Sequence, residues 1–361
     1  MKIVVLGGYG DMGKGVVQDL LAHTDAQVTI ADYRIERAQK YADELGERVN
    51  AVFVDANDET SLVEVLRGAD AAVGCIGPFY RFAPRLARAA VKAGVNYVDI
   101  CDDYGPLDEV LAMHEDAKSA GVTLITGLGW TPGITNLMAR DGALQLDEVD
   151  EIRVAWVGSA QDAEGLAVVK HVFYAITGDV PTYQNGQWTR VRAGTGREVV
   201  RFPEPFGDIE VFHCGHPEPI TIPRYFQVKT VSLKGALTPA WNNWLGDVFV
   251  RLGLTNTPTK IDRLSRLIWS LEGILGAGGI ALSAARVDVF GRDRGIPRVL
   301  TYTAVDKMRR LTGIPAAIGA WMLAKGEIQR KGVFAPEGCL DSAAFFEALA
   351  QRGIQITKSS T

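Results

Sequence analysis

The stretch GGYGDMGKG, Gly7–Gly15, follows the apolar run KIVVL at Lys2–Leu6 and decides the fold of the first part of the chain. Three of its glycines form a G-x-G-x-x-G pattern between a predicted strand and a predicted helix. Glycine suits these positions because the turn is tight, the backbone must approach a pyrophosphate closely, and the helix must pack near its strand. The stretch therefore predicts a dinucleotide-binding turn. The residues expected to contact the cofactor here are Gly8, Gly10, Asp11, Met12 and Gly13.

Around this turn, apolar runs of strand length alternate with segments of helical period over residues 1–130. Such alternation predicts βαβ units and a doubly wound parallel sheet of the Rossmann type, in an α/β protein. The predicted strands are KIVVL, QVTIA, VNAVFVD, AAVGCI, NYVDI and VTLIT.

The second predicted strand ends on an acid. Asp32 lies 19 positions after Gly13, close to the offset of about 20 residues at which an acid accepts the ribose hydroxyls of NAD. Its charge would repel the 2′-phosphate of NADP, whereas Arg34 and Arg37 are able to turn toward such a phosphate. The pattern favours NAD and leaves NADP open. The expected cofactor contacts in this segment are Asp32, Tyr33 and Arg34.

The loops after the later strands should also line the site, because open α/β sheets bind ligands beyond the carboxyl ends of their strands. We expect Asp55 either to reach the adenine or to cap a turn. The segment GCIGPF, Gly74–Phe79, should run along the ribose and nicotinamide. The expected cofactor contacts in this segment are Cys75, Ile76 and Gly77, and the expected substrate contacts are Phe79, Asp103, Trp130, Thr131 and Gly133.

From about Leu146 the pattern changes, and Ala285–Asp306 predicts two alternating strands around a turn. A mixed or antiparallel sheet is expected in this part of the chain. The apolar stretch Leu267–Ala285 contains Glu272 and four glycines, which favour a buried helical hairpin or a subunit interface over a membrane span.

The composition narrows the classes of partner. A formal charge of −5 offers no basic surface for nucleic acid, so a small-molecule ligand is favoured. The four cysteines lie far apart without a C-x-x-C pair, which fits neither a zinc site nor a disulfide framework. With no signal peptide visible, a cytoplasmic protein is expected.

Six motifs, in matching order and spacing, resemble those of the saccharopine dehydrogenase-like family, and most closely its lysine 6-dehydrogenase and saccharopine reductase branch. They are GGYGDMGKG, GCIGPF, YVDICDD, GLGWTPGITNLMA, HCGHPEPITIPRYF and GVFAPEG. The resemblance implies nicotinamide-linked oxidation or reduction at a carbon bonded to nitrogen, often in a homodimer. One departure is DYR at Asp32–Arg34, where the saccharopine reductase branch tends to carry a basic residue suited to NADP.

The resemblance also implies three parts of the chain. Residues 1–130 are expected to form the Rossmann domain. Residues 131–310 are expected to form an inserted α+β substrate and dimerisation domain, and residues 311–361 to return to the Rossmann domain.

Oxidation of an amine requires loss of the ammonium proton before hydride leaves the adjacent carbon, so a base of near-neutral pKa is needed. Histidine supplies it most readily. We favour His213 as this base, with His171 as an alternative, although a structural hydrogen-bonding role is open for each. The H-x-x-H spacing of His213 and His216 has no apparent third ligand, so no metal is expected.

Charged side chains should hold the two ends of an amino-acid substrate. Asp102 and Asp103 follow the fifth predicted strand and would bind the ammonium group, relay its proton, or cap the following helix. Arg224, in IPRYF, is expected to pair with a substrate carboxylate, because a guanidinium group binds it through two parallel hydrogen bonds. An exposed arginine on a strand is the alternative interpretation of Arg224.

Together these observations predict an NAD(P)-dependent oxidoreductase acting on a C–N bond of an amino acid or amine. The alternative is a non-catalytic NAD(P)H-binding sensor or assembly protein on the same fold. A short-chain dehydrogenase is excluded, because its Y-x-x-x-K pair, Tyr225 and Lys229, falls here in a strand-like segment instead of on one helix face.

Overall fold

The computed structural model describes residues 1–162, 165–271 and 279–361, which group by their contacts into two units. The first unit comprises Met1–Gly129 and Thr312–Leu340, and the second comprises Trp130–Leu311 and Asp341–Thr361. The C-terminal segment was expected to return to the Rossmann domain as a whole. It differs from that expectation after Leu340, because the final strand of the chain pairs within the second unit.

The first unit is built on a sheet whose successive strands are joined by helices. Its strands are β1 (Lys2–Leu6), β2 (Gln27–Asp32), β3 (Val49–Phe53), β4 (Ala71–Gly74), β5 (Asn96–Asp99), β6 (Thr123–Ile125) and β15 (Gly332–Phe334). Its helices are α1 (Asp11–His23), α2 (Ile35–Leu45), α3 (Glu59–Leu66), α4 (Phe79–Ala93), α5 (Leu107–Ala112), α6 (His114–Ser119), α13 (Pro336–Cys339) and the part of α12 (Met308–Ala324) from Thr312 onward.

The strands lie in the order β15-β6-β5-β4-β1-β2-β3, and all neighbouring pairs are parallel. The order of β1 to β6 is that of a dinucleotide-binding Rossmann sheet, so the predicted α/β class is confirmed. Ile3–Leu6 is buried along its whole length because helices cover both faces of such a sheet. The winding reverses between β1 and β4, where ligands of this fold bind.

The second unit contains a mixed sheet with helices packed on it. Its strands are β7 (Glu148–Ser159), β8 (Asp179–Gln184), β9 (Gln187–Arg192), β10 (Glu198–Phe202), β11 (Gly207–His213), β12 (Val228–Thr238), β13 (Ser283–Asp293), β14 (Ile296–Asp306) and β16 (Thr357–Ser360). Its helices are α7 (Ile134–Ala143), α8 (Leu166–Ala175), α9 (Glu218–Thr221), a 3₁₀ turn (Ile222–Arg224), α10 (Trp241–Arg251), α11 (Pro258–Ser270) and α14 (Ser342–Ala350).

The main path of this second sheet runs β10-β11-β12-β7-β13-β14-β16. β12 and β7 are parallel, whereas the other neighbours on the path are antiparallel. The two strands predicted within Ala285–Asp306 are confirmed as the hairpin of β13 and β14. Its core includes Val157, Phe212 and Ala236, which point inward from three adjacent strands.

The apolar stretch near residue 270 is described only in part. α11 ends at Ser270, and residues 272–278 lie outside the described residues, so the predicted hairpin or interface there stays a prediction. Within the described ranges, no helix combines the length and apolar character needed to cross a bilayer. All four cysteines carry free thiols.

Candidate functional site

The glycine-rich stretch forms a tight turn between β1 and α1. Gly7 adopts a positive φ of 78°, and the Gly10 amide donates to the Gly7 carbonyl at 2.9 Å. A Cβ atom on Gly13 would overlap the Gly7 carbonyl oxygen and lie 2.8 Å from the Gly8 Cα atom. The first turn of α1 therefore packs directly on the loop, with Asp11 and Met12 in that turn. Because first-turn amides lack helical partners, this end of α1 fits a pyrophosphate.

The end of β2 pairs an acid with a cation. Asp32 is 5% exposed, and its Oδ1 atom accepts hydrogen bonds from the Arg34 amide at 2.9 Å and the Arg34 Nε at 3.4 Å. The Arg34 guanidinium and the Lys14 ammonium lie 5.0 and 4.3 Å from the ring of Tyr9. Tyr33 is exposed and packs against Phe53. The other carboxylate oxygen of Asp32 is thus placed to accept ribose hydroxyls, and the positively charged Arg34 side chain lies beside the carboxylate.

Asp55 caps the turn that leads to α3. Its Oδ1 atom accepts hydrogen bonds from the amide and the side chain of Asn57, at 2.9 and 3.0 Å. These two bonds hold the pKa of Asp55 below its usual value. One of its two expected roles is therefore present, and the adenine contact stays a prediction.

The loops after β4 and β5 lie at the same edge of the parallel sheet as the glycine turn after β1. Cys75, Ile76 and Gly77 follow β4 directly and are half-buried, and Phe79 begins α4. Burial raises the pKa of the Cys75 thiol, so this thiol is neutral. Asp103 is fully buried, and its Oδ2 atom accepts a hydrogen bond from the Tyr80 amide at 2.7 Å. The predicted cap of the following helix is wrong, because α5 begins after Pro106.

Asp99, at the end of β5, is a buried acid that the sequence analysis did not single out. Its Oδ1 atom accepts hydrogen bonds from the Cys101 amide at 3.0 Å, the Thr126 hydroxyl at 3.0 Å and the Gly127 amide at 2.8 Å. Burial raises the pKa of Asp99 to about 6, against the lowering effect of these bonds. Asp99 therefore ties the loop after β5 to the loop after β6.

A second group of buried polar side chains lies in the second unit, and we call Glu218, Thr131, Thr135, His216 and His171 the glutamate cluster. Glu218 is fully buried, and its Oε1 atom accepts hydrogen bonds from Thr131 at 2.6 Å and Thr135 at 2.8 Å. Its Oε2 atom has no hydrogen-bond partner within the described part of the chain. Burial raises the pKa of Glu218.

Two histidines complete the glutamate cluster. The Nε2 atoms of His171 and His216 lie 3.2 Å apart, and both rings are buried. Burial, followed by the charge of His171, holds the pKa of His216 well below its usual value. His216 is therefore a neutral ring. His171 was a predicted catalytic residue, whereas the sequence pattern predicted no catalytic role for His216 or Glu218.

His213 lies in different surroundings. Its imidazole packs over Gly196, where a Cβ atom would lie 2.6 Å from Nε2. Burial and the nearby charge of Lys234 lower the pKa of His213. The contacts described above thus join His213 to Gly196 and Lys234 instead of to the glutamate cluster.

Asp102 follows β5 in the first unit and is half-buried.

The remaining predicted substrate contacts lie in the second unit. Trp130 is buried with its ring 6.0 Å from that of Trp156, and Gly133 caps α7 at a φ of 127°. Arg224 is exposed, with its guanidinium 5.7 Å from the ring of Trp188. The segment around Arg224 is helical, so the strand-like interpretation of IPRYF is wrong. Prolines at the starts of both short helices explain this, since they fit the first helical turn.

The Rossmann sheet carries an acid at the end of β2 and a glycine turn that a side chain at Gly13 would block, which defines a nicotinamide dinucleotide-binding protein. Family models give the particular group. The saccharopine dehydrogenase NADP binding domain matches residues 3–125, and the saccharopine dehydrogenase C-terminal domain matches residues 129–354. The chain belongs to the saccharopine dehydrogenase family.

Individual relatives agree with this assignment. The chain is 23% identical to carboxynorspermidine synthase of Vibrio cholerae, over 95% of this chain and 94% of that protein. It is 21% identical to carboxyaminopropylagmatine dehydrogenase of Synechocystis sp., over 98% and 96% of the two chains. Its fold matches that of apo saccharopine dehydrogenase (L-Glu forming) from Saccharomyces cerevisiae with a TM-score of 0.75 at 16% identity, covering 100% of this chain and 99% of that one.

Proposed function

We propose that this protein oxidises or reduces a C–N bond of an amino acid or amine, with NAD(P) held by the first unit and the substrate by the second. The observation that carries the proposal is the carboxyl group of Glu218, which is fully buried and held by two threonine hydroxyls through one oxygen. A buried carboxyl group with a raised pKa exchanges protons closer to neutral pH, as dehydrogenation of an amine requires. Bound nicotinamide would accept or donate the hydride.

The histidine pair supports the same chemistry. A neutral His216 accepts a hydrogen bond from His171 and thereby orients the His171 ring, which is the member of the pair that would take up the proton leaving a substrate nitrogen. The proposal therefore assigns proton transfer to His171 and Glu218, with Thr131 orienting the carboxyl group. The catalytic roles of His213 and Asp102 stay predictions, as do the contacts of Asp103 and Arg224 with the two charged ends of the substrate.

The names of the relatives support a C–N bond as the point of attack. Two relatives that span nearly the whole chain are named for carboxylated amines, and a shorter match is named saccharopine dehydrogenase. We propose an amino acid or an N-substituted amino acid as the substrate, as in a lysine 6-dehydrogenase or a saccharopine dehydrogenase.

The test is reduction of NAD and of NADP by the purified protein at mildly alkaline pH, with lysine, ornithine, saccharopine and simple diamines as substrates. Glu218→Gln keeps an acceptor for both threonines but cannot release a proton, so we expect turnover to fall about 100-fold or more with NADH affinity unchanged. Glu210→Gln, at an exposed acid of the same unit, is the matched control and should leave turnover unchanged. NADH binding without turnover in either direction would refute the enzyme and favour the non-catalytic sensor.

We also propose NAD as the preferred cofactor. Asp32 supports this preference because its carboxylate would repel a 2′-phosphate. The family model named for NADP, together with Arg34 and Lys14 beside Tyr9, argues for the other cofactor. The ratio of kcat/KM for NAD and NADP decides between them, and a ratio below one would make Arg34 the phosphate partner.

We also propose that the protein is a homodimer and that it works in a reducing cytoplasm. The four free thiols support the compartment, and the dimer rests on the family resemblance. Light scattering after size-exclusion chromatography tests the dimer, and a single monomeric mass would refute it.

A further inference from the structure

The second unit contains a partly open apolar cavity of about 100 Å³, lined by the sheet and by α8, α10 and α11. Its lining includes Val168, Val172, Ile176, Leu245 and Phe249. Among the described lining residues, none carries a charge. The cavity is therefore unsuited to a carboxylate or an ammonium group, because an unpaired charge there would lose its hydration without compensation.

The two asparagine side chains in the cavity lining form hydrogen bonds with the backbone. Asn243 accepts a hydrogen bond from the Leu237 amide and donates one to the Leu237 carbonyl, both at 2.8 Å. Asn242 donates to the Pro239 carbonyl at 3.1 Å. Both side-chain amide groups thus form hydrogen bonds with the backbone at the end of β12. The surface of the cavity wall is mostly hydrocarbon.

The cavity adjoins the glutamate cluster. Trp156 lines the cavity, and its ring lies 5.6 Å from the ring of His216. Helix α8 carries His171 of the cluster, while Val168 and Val172, four residues apart on one face of that helix, line the cavity. The cavity and the cluster thus share Trp156 and α8, while none of the five cluster residues is among the described lining residues.

We propose that this cavity binds an uncharged hydrocarbon substituent of the substrate, which makes the substrate an amino acid or amine with an apolar chain. This inference rests on the proposed function. The volume is about two thirds of that of an engineered cavity of about 150 Å³ that binds benzene, so the chain has roughly four carbon atoms. Among the amino acids and amines of the proposed function, the cavity thus selects those with an uncharged chain over saccharopine and lysine, whose distal charge would lose its hydration there.

The first experiment is calorimetric titration of the NADH-saturated protein with 2-aminobutyrate, norvaline, norleucine and lysine, which measures binding without turnover. Each added methylene should tighten binding about fourfold up to norleucine. Lysine should bind at least tenfold more weakly than norleucine, because its ammonium group must be desolvated. Equal affinity along the series, or tighter binding of lysine, would overturn the proposal.

Two variants tie the effect to the cavity. Leu245→Trp narrows the cavity and should weaken norleucine binding at least tenfold while leaving 2-aminobutyrate binding within twofold. Leu252→Trp, the same change at an exposed position beyond the lining, is the matched control and should bind norleucine normally. Phe249→Ala enlarges the cavity and should shift the optimum to a longer chain, an effect that misfolding does not produce.

The outcomes separate this inference from the proposed function. Norleucine binding that Leu245→Trp abolishes, without turnover on any amine, would support the cavity and refute the enzyme. Turnover on lysine or saccharopine that Leu245→Trp leaves unchanged would support the enzyme and refute the cavity as the substrate subsite.

Discussion

Replacing Asp99 by asparagine should stabilise the protein at neutral pH. Three donors reach Oδ1 of Asp99, and the Tyr97 hydroxyl lies close enough to the carboxylate to lower its pKa. An asparagine side chain keeps the acceptor at Oδ1 and replaces only the other oxygen. Asp99→Asn thus removes a buried charge and retains all three bonds.

The size of the effect follows from the pKa of Asp99. The carboxyl group titrates near 3.9 in an unfolded chain and at about 6 in the folded protein. Below pH 4 both states hold the proton and the group has no effect on stability. Between pH 4 and 6 the unfolded state releases its proton first, so wild-type stability falls by about 3 kcal/mol and stays lower above pH 6.

Urea unfolding followed by circular dichroism at pH 4.5 and 7.5 measures this difference. The variant should gain most of about 3 kcal/mol relative to wild type between the two pH values. Asp55→Asn is a control of opposite sign, because the lowered pKa of Asp55 contributes stability above its unfolded pKa that the variant loses. If Asp99→Asn lost stability by the same amount at both pH values, Asp99 would be ionised in the folded state and this reasoning would be refuted.

Three further predictions concern the cofactor turn and the base. Gly13→Ala should weaken NADH binding at least tenfold in a fluorescence titration, because its Cβ atom would displace the turn; Gly158→Ala, where a Cβ meets only ordinary contacts, should bind normally. Asp32→Ala should lower kcat/KM for NAD more than for NADP, and an unchanged ratio would show that the ribose is recognised elsewhere. His171→Ala should lower kcat more than 100-fold and His213→Ala less than tenfold; the reverse order would return the base to His213.

The Rossmann sheet was predictable because its signals are local. Each of β1 to β6 is a short apolar run, and the glycine turn, the helix and the acid at Asp32 all lie within about 30 residues of one another. The hairpin of β13 and β14 was predictable for the same reason, since alternation on either side of a short turn is a local pattern.

The segment after His213 was predicted less well. IPRYF was interpreted as strand-like, yet Ile222–Arg224 forms the 3₁₀ turn that directly follows α9. Proline at the second position of each helix, which removes an amide that a strand would need, was the signal available in the sequence. The return of Asp341–Thr361 to the second unit had no such signal, because it depends on β16 finding β14 about 60 residues away.

The sequence by itself determined the parallel α/β class and the dinucleotide turn, because each depends on residues that are neighbours along the chain, and its resemblance to a family supplied the class of chemistry. Only the tertiary structure decided which acids are buried. Glu218 meets Thr131 across 87 residues and Thr135 across 83, and Asp99 meets Gly127 across 28. An isolated acid in a sequence resembles a solvated surface group, since the hydrogen-bond donors that permit its burial are supplied only when distant segments fold together.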